Sequence, residues 1–142
     1  MDLNELVDIF KLYPKIFPSG YFRFLKKTLS EKIDRKEIIY KHGVLLTWTE
    51  YKKKTKISPS ISINKGEIKI NQLVNKNQGN KMAKEIFVNF LKTKKTNMYL
   101  IVKKDNKRAI KFYELNDFKK IGEKIMGKNI ICFIMKRNIG DK

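Results

Sequence analysis

The chain holds one cysteine, Cys132, and one histidine, His42. A single thiol excludes an internal disulfide and a zinc site built on cysteines, and a single imidazole excludes a histidine-rich metal centre. Long apolar runs are missing as well. The densest, Ile130 to Met135, falls far short of the roughly 18 residues of a membrane span and suits one buried strand. No membrane partner is expected. The first residues, Met-Asp-Leu-Asn-Glu-Leu, lack the basic start of a signal peptide, so a cytoplasmic location is expected. No stretch reads as a linker, and there is no internal repeat.

Acidic residues are scarce: 14 Asp and Glu against 33 Lys and Arg, a formal charge of +19. Such a field is the usual electrostatic mark of a nucleic-acid partner. Arginine, the better residue for bidentate phosphate and base contacts, supplies only 4 of the 33, while Lys (29), Ile (19) and Asn (12) are abundant. That bias equally fits an AT-rich genome, so the charge has two readings. What the chain does hold is a globular composition, 42% hydrophobic and 11% aromatic in 142 residues, enough for one sizeable core. A single domain over 1–142 is expected.

The first third reads as helical, with residues 1–36 forming N-terminal helices. Leu3, Leu6, Val7, Ile9, Phe10 and Tyr13 share one face, and Asp2 or Asn4 can cap its start. Pro14 and Pro18-Ser19-Gly20 interrupt it before a second amphipathic segment with Tyr21, Phe22, Phe24, Leu25 and Leu29. Strand signals follow. Ile38–Tyr40 and Val44–Thr49 flank Lys41-His42-Gly43 as a hairpin, whose second strand is expected to run through Tyr51 towards Thr55. Ile61 and Ile63 form a short strand before the turn Asn64-Lys65-Gly66. Ile68, Ile70, Leu73 and Val74 form the next, with a break in alternation that a β-bulge would produce. Then come a helix over Met82–Leu91, a buried strand over Met98–Val102, a helix over Lys107–Leu115, and a hairpin of Phe118–Ile125 and Ile130–Met135. The alternation indicates an α+β protein.

Two stretches carry chemistry. In Leu73 to Ala83 a strand end feeds through a polar, glycine-containing turn into a helix. Unpaired N–H groups of the turn and first helical turn converge there, the helix dipole favours negative charge, and Lys76 and Lys81 add to it. An ordinary strand-to-helix loop has the same spelling. The second stretch is Val102 to Phe118. Its Asn106, Ala109, Phe112-Tyr113 and Phe118 resemble, at matching spacing, the second half of the signature of the GCN5-related N-acetyltransferase (GNAT) family. Gln78 and Ala83 then match the ends of that family's Gln/Arg-x-x-Gly-x-Gly/Ala loop. The resemblance covers about Gly66 to Arg137, and residues 66–137 are read as the cofactor-binding half. Two positions depart from the pattern: Lys81 and Asp117 each stand where the family has glycine. Asp tolerates a positive φ, so Asn116-Asp117 can still turn. A Cβ at Lys81 can crowd a pyrophosphate.

The resemblance implies a central mixed, mostly antiparallel sheet of six or seven strands, splayed at its centre and flanked by about four helices. It implies acetyl transfer from acetyl-CoA to a primary amine of an unidentified acceptor. The cofactor's pantetheine arm would pair with backbone at Leu73 and Val74, its pyrophosphate would meet Gln78, Gly79, Asn80, Lys81, Met82 and Ala83, and Asn106 would hydrogen-bond it. Tyr113 stands where the family often has the acid that protonates the leaving thiolate. Glu67 and Glu50 are the candidate bases, although each also reads as a solvated surface charge. His42 reads as a turn residue and Cys132 as an inert core thiol. Trp48, Tyr51 and Lys52-Lys53-Lys54 read either as a base-stacking patch or as a packed aromatic beside solvated lysines. The rival functions are a nucleic-acid-directed acyltransferase and a catalytically inactive binding module. The acceptor is a small molecule, a protein or a nucleic acid, and the chain is a monomer or a homodimer.

Overall fold

Asp2 starts the first helix. Its side-chain oxygen accepts the backbone N–H of Asn4 at 2.9 Å and of Glu5 at 3.4 Å, satisfying two of the donors a helix start leaves open. A computed structural model describes residues 1–77, 79 and 81–140. Helix α1 spans Leu3–Phe10 and buries Leu6, Ile9 and Phe10. The amphipathic pattern runs on to Tyr13, yet the helix ends three residues earlier. Pro14 disfavours α geometry at Tyr13, and Leu12 and Tyr13 close tighter turns onto Ile9 and Phe10.

The elements that follow are a 3-10 helix at Ser19–Arg23, α2 (Leu25–Arg35), β1 (Ile38–Lys41), β2 (Val44–Glu50), β3 (Thr55–Ser58), β4 (Ile61–Ile63) and β5 (Ile68–Asn75). The second half adds α3 (Met82–Thr93), β6 (Met98–Lys103), α4 (Lys107–Glu114), β7 (Lys119–Met126) and β8 (Ile130–Arg137). Six strands form one sheet in the order β1-β2-β5-β6-β8-β7, and β3 and β4 form a second, two-stranded sheet. Pairs β1–β2, β6–β8 and β7–β8 are antiparallel, and β5–β6 is parallel. The parallel ladder covers three residues on each strand, Ile68–Ile70 and Met98–Leu100. β5 itself runs on to Asn75, past Ile70, the last residue of that ladder.

The chain forms two compact units, each built from two stretches of sequence. The first holds Met1–Trp48 and Gln72–Phe90. Its core joins Leu6, Ile9 and Phe10 of α1 to Leu25 and Leu29 of α2, Leu45 of β2 and Val74 of β5. Trp48 packs on Phe90 with ring centroids 4.7 Å apart. Beside them lies a buried ion pair: Lys32 Nζ donates to Glu37 Oε1 at 3.2 Å and also to the Trp48 carbonyl. The Glu37 carbonyl in turn accepts the Trp48 N–H at 3.2 Å. Desolvation lowers the Lys32 pKa, and the Glu37 charge opposes that shift.

The second unit holds Thr49–Asn71 and the chain from Leu91 onward. Ile57 and Ile63 of the small sheet pack with Tyr99 and Ile134. The expected extension of β2 through Tyr51 does not form. At Tyr51 the backbone instead meets two residues, Gly66 and Glu67, accepting the Gly66 N–H at 2.8 Å and donating to the Glu67 carbonyl at 3.0 Å. Gly66 takes φ +87°, so this is a bulge whose first residue occupies the left-handed region that suits glycine. Further along β5, Ile68, Ile70 and Val74 are all buried, so burial keeps a two-residue period. The break in the apolar alternation reflects a polar residue, Gln72, on that period. It donates to the Tyr21 hydroxyl at 2.6 Å and accepts from the Thr47 hydroxyl.

Candidate functional site

The chain leaving β5 is tied down at each step. The Tyr13 hydroxyl donates to the Asn75 carbonyl, the Lys76 N–H donates to the Gly43 carbonyl at 2.8 Å, and the Asn77 N–H donates to Asn75 Oδ1 at 3.0 Å. Val74 is buried in the core of the first unit, and Leu73 is half-buried. Gly79 adopts φ +98°, is exposed, and has open space where a Cβ would stand. Lys81 is exposed, and its carbonyl accepts the Glu85 N–H at 3.2 Å, which places Lys81 at the start of α3 with Met82 and Ala83 in the first turn. Gln78 and Asn80, expected in the same cradle, lie outside the described residues. An open glycine, a helix start and an exposed lysine fit an anion such as a pyrophosphate. Lys76 contributes less than expected, because it shares a depression with Asp2, Glu5 and Asp8.

The second stretch folds around Tyr113. Asn106 caps α4, its Oδ1 accepting the Ala109 N–H at 3.2 Å, so that oxygen is committed to the helix and the amide NH2 is the part left to meet a ligand. Asp117 takes φ +69°, and the Phe118 N–H donates to the Tyr113 carbonyl at 3.1 Å. This is a left-handed helix stop made without glycine, as expected for Asp. Phe118 is buried, and its ring lies 5.8 Å from that of Tyr113, with Phe112 on another side at 5.6 Å. Desolvation drives the Tyr113 pKa well above that of a free phenol, so the group stays protonated through neutral and mildly alkaline pH.

The two candidate carboxylates part company. Glu67, expected to read as a solvated surface charge, is buried at 8% exposure. Its Oε1 accepts the Asn64 N–H at 2.7 Å and the Tyr99 hydroxyl at 3.1 Å, and its Oε2 accepts Asn97 Nδ2 at 2.8 Å. The reason is the bulge at Gly66–Glu67, which reorients the chain as it enters β5. Burial, then the charge and hydrogen bond of Glu67, push the Tyr99 pKa to about 12. Glu50 matches the surface reading, half-exposed with Lys52 Nζ 3.9 Å away. Asn97 and Tyr99 escaped the sequence reading. Tyr99 sits in an apolar run, and its hydroxyl was the one available signal that the strand needed a buried polar partner.

The remaining candidates resolve plainly. Trp48 is 4% exposed, so its indole is a core group and not a stacking platform. His42 is an exposed turn residue with φ +52°. Cys132 is buried, and desolvation raises its pKa, which makes it a poor nucleophile. Among the described residues no group of three or more His, Cys, Asp or Glu could hold a metal ion, and no helix is long and apolar enough to cross a membrane.

No family model and no curated protein sequence matches the chain. Solved structures do match in fold over nearly its whole length. An N-acetyltransferase from Staphylococcus aureus Mu50 superposes with a TM-score of 0.68 at 13% identity, covering 97% of this chain and 93% of that one. NAA60 of Arabidopsis thaliana, solved in complex with a bisubstrate analogue, gives 0.65 at 16% identity over 99% and 94%. An acetyltransferase of the GNAT family from Bacillus cereus gives 0.64 at 14% identity over 96% and 90%. The fold is that of the GNAT acetyltransferases.

Proposed function

We propose that the protein is an acetyl-CoA-dependent N-acetyltransferase acting on a primary amine. The observation that carries this reading is the setting of Tyr113: a phenol packed between the rings of Phe112 and Phe118, on the helix whose left-handed stop at Asp117 fits the pattern of the resemblance without its glycine. The fold neighbours, an N-acetyltransferase and an enzyme solved with a bisubstrate analogue among them, support the same direction.

Acetyl-CoA supplies the thioester acyl group when bound. In the proposed roles, Gly79, Lys81 and the first turn of α3 would hold its phosphates and the backbone at Leu73 and Val74 would pair with its arm, while a hydrogen bond from the Asn106 amide to the cofactor is what the resemblance implies. The amine nitrogen forms a bond to the acyl carbon as the carbon–sulfur bond breaks. The Tyr113 hydroxyl donates to the departing sulfur as the carbon–sulfur bond breaks, and its raised pKa keeps that proton in place until negative charge develops on the sulfur. The amine's surplus proton passes to Glu67, directly or through water. Three of the roughly four acceptor sites of that carboxylate are occupied by Asn64, Asn97 and Tyr99, so one remains on Oε2. Holding amine and acyl carbon together supplies much of the rate.

The nucleic-acid-directed alternative draws on the charge alone, since Trp48 is buried. Thermal shift with acetyl-CoA, followed by thiol release against a panel of amines, peptides and nucleic acids, tests the reading. At about 100 times its Kd the ligand should add about 2.7 kcal/mol of stability. Absence of any shift together with absence of thiol release would leave the fold as a binding scaffold and overturn the enzyme reading.

A further inference from the structure

The β7–β8 hairpin carries a feature to which the roles proposed above assign nothing. Residues 125–131 are all exposed, seven in a row across both strand ends and the turn, and four of them are large and apolar. Ile125 is 67% exposed, Met126 42%, Ile130 39% and Ile131 41%. Ile125 pairs across the ladder with Ile131, and Met126 with Ile130. Adjacent pairs on a strand point to opposite faces, so the ribbon is apolar on both sides at its tip. Folding leaves this surface in water, although burying one such side chain favours association roughly tenfold or more.

The surrounding charge is one-sided. From Lys119 to Arg137 the hairpin carries five lysines and one arginine against one carboxylate, Glu123, which Lys120 neutralises at 2.6 Å. Lys128 is exposed in the turn. Exposed Lys104 follows β6 with its backbone N–H on the Ile131 carbonyl at 2.9 Å, and Asp105 lies beside it.

We infer that this tip inserts into the surface of an anionic lipid bilayer. Ile125, Met126, Ile130 and Ile131 enter the boundary between headgroups and acyl chains, while Lys104 and Lys128 meet the headgroup charge. A ribbon apolar on both faces suits a fluid apolar medium that closes around it, whereas a folded protein would need a slot gripping both faces. A second copy brings lysine-rich hairpins of like charge together, and a nucleic acid offers no apolar phase to the isoleucines. The absence of a spanning run, from which no membrane partner is expected, says nothing of a surface of this kind. Residues brought together from two strands and a turn make no such run.

The test is co-sedimentation of the full chain with vesicles of phosphatidylcholine alone and of phosphatidylcholine with phosphatidylserine. Binding should need the anionic lipid and should fall by roughly tenfold or more in Ile125→Ser/Ile131→Ser, which keeps every lysine. Equal binding by that variant would mean adsorption by net charge alone and would overturn the inference. A second readout covers any loss of folding in the double variant. In Ile125→Trp the new indole should shift to the blue on anionic vesicles against the constant background of buried Trp48, and an unshifted spectrum overturns the inference. So does a concentration-dependent dimer that the serine variant abolishes while vesicles are ignored, or binding to RNA that is insensitive to those isoleucines.

Discussion

The hydroxyl of Tyr99 donates to the buried carboxylate of Glu67 at 3.1 Å, joining the start of β6 to the start of β5. Folding gives this phenol a pKa of about 12, against 10.0 for an unperturbed tyrosine. Between those values the folded chain keeps a proton that the unfolded chain has released, so stability falls as pH rises through that window and is unaffected below it. Thermal melts should decline as pH rises above 10, and Tyr99→Phe should remove part of that slope. An unchanged slope would remove Tyr99 from the account.

Replacing Glu67 by Gln separates anchoring from chemistry. The amide turns one acceptor atom into a donor facing Asn97 or Tyr99, which should cost about 1–3 kcal/mol. If Glu67 also takes the amine's proton, kcat falls further than stability explains, and activity returns with rising pH as free amine accumulates. A loss of stability alone, with kcat intact, would make it a structural residue.

Tyr113→Phe should lower kcat about 100-fold, the size of one general acid, while leaving the thermal shift with acetyl-CoA unchanged. Because the phenol's pKa lies far above neutrality, the parent rate should show no fall from this group below pH 10. Undiminished turnover in the variant would exclude the acid role.

Gly79→Asp and Gly79→Ala form a matched pair. Both must enter a backbone conformation at φ +98° that L residues disfavour, and the Cβ that each adds stands in open space. Only aspartate adds a charge facing a pyrophosphate. Its Kd for acetyl-CoA should exceed that of the alanine variant roughly tenfold, about 1.4 kcal/mol. Equal values would argue against an anion cradle.

Lys32→Ala should be among the most destabilising substitutions in the first unit. It strands Glu37 in the interior and removes a donor from the Trp48 carbonyl, a loss of about 3–5 kcal/mol by chemical denaturation. Lys32→Met with Glu37→Leu, which removes both charges, should recover much of that loss.

Much of the fold was legible because short-range rules decide it. Asp2 caps α1, His42-Gly43 turns the first hairpin, and Asp117 ends α4 through its own tolerance of a left-handed backbone. The spacing of Asn106, Ala109, Tyr113 and Phe118 fixes one helix and its stop, and local hydrogen bonds suffice to build it.

The site was legible only where its residues lie close in sequence. Glu67 read as a surface charge because nothing near it in sequence reveals that Asn97 and Tyr99, about thirty positions on, supply its donors. Trp48 reads two ways in the sequence because Phe90, the ring it packs against, lies about forty positions on. Residue order determined the helices, the turns and the α4 segment that carries Tyr113, since each depends on neighbours a few bonds away. Which polar groups were buried, and which isoleucines stayed in water, was decided by strand pairing across the sheet, because desolvation depends on what distant segments bring to a point.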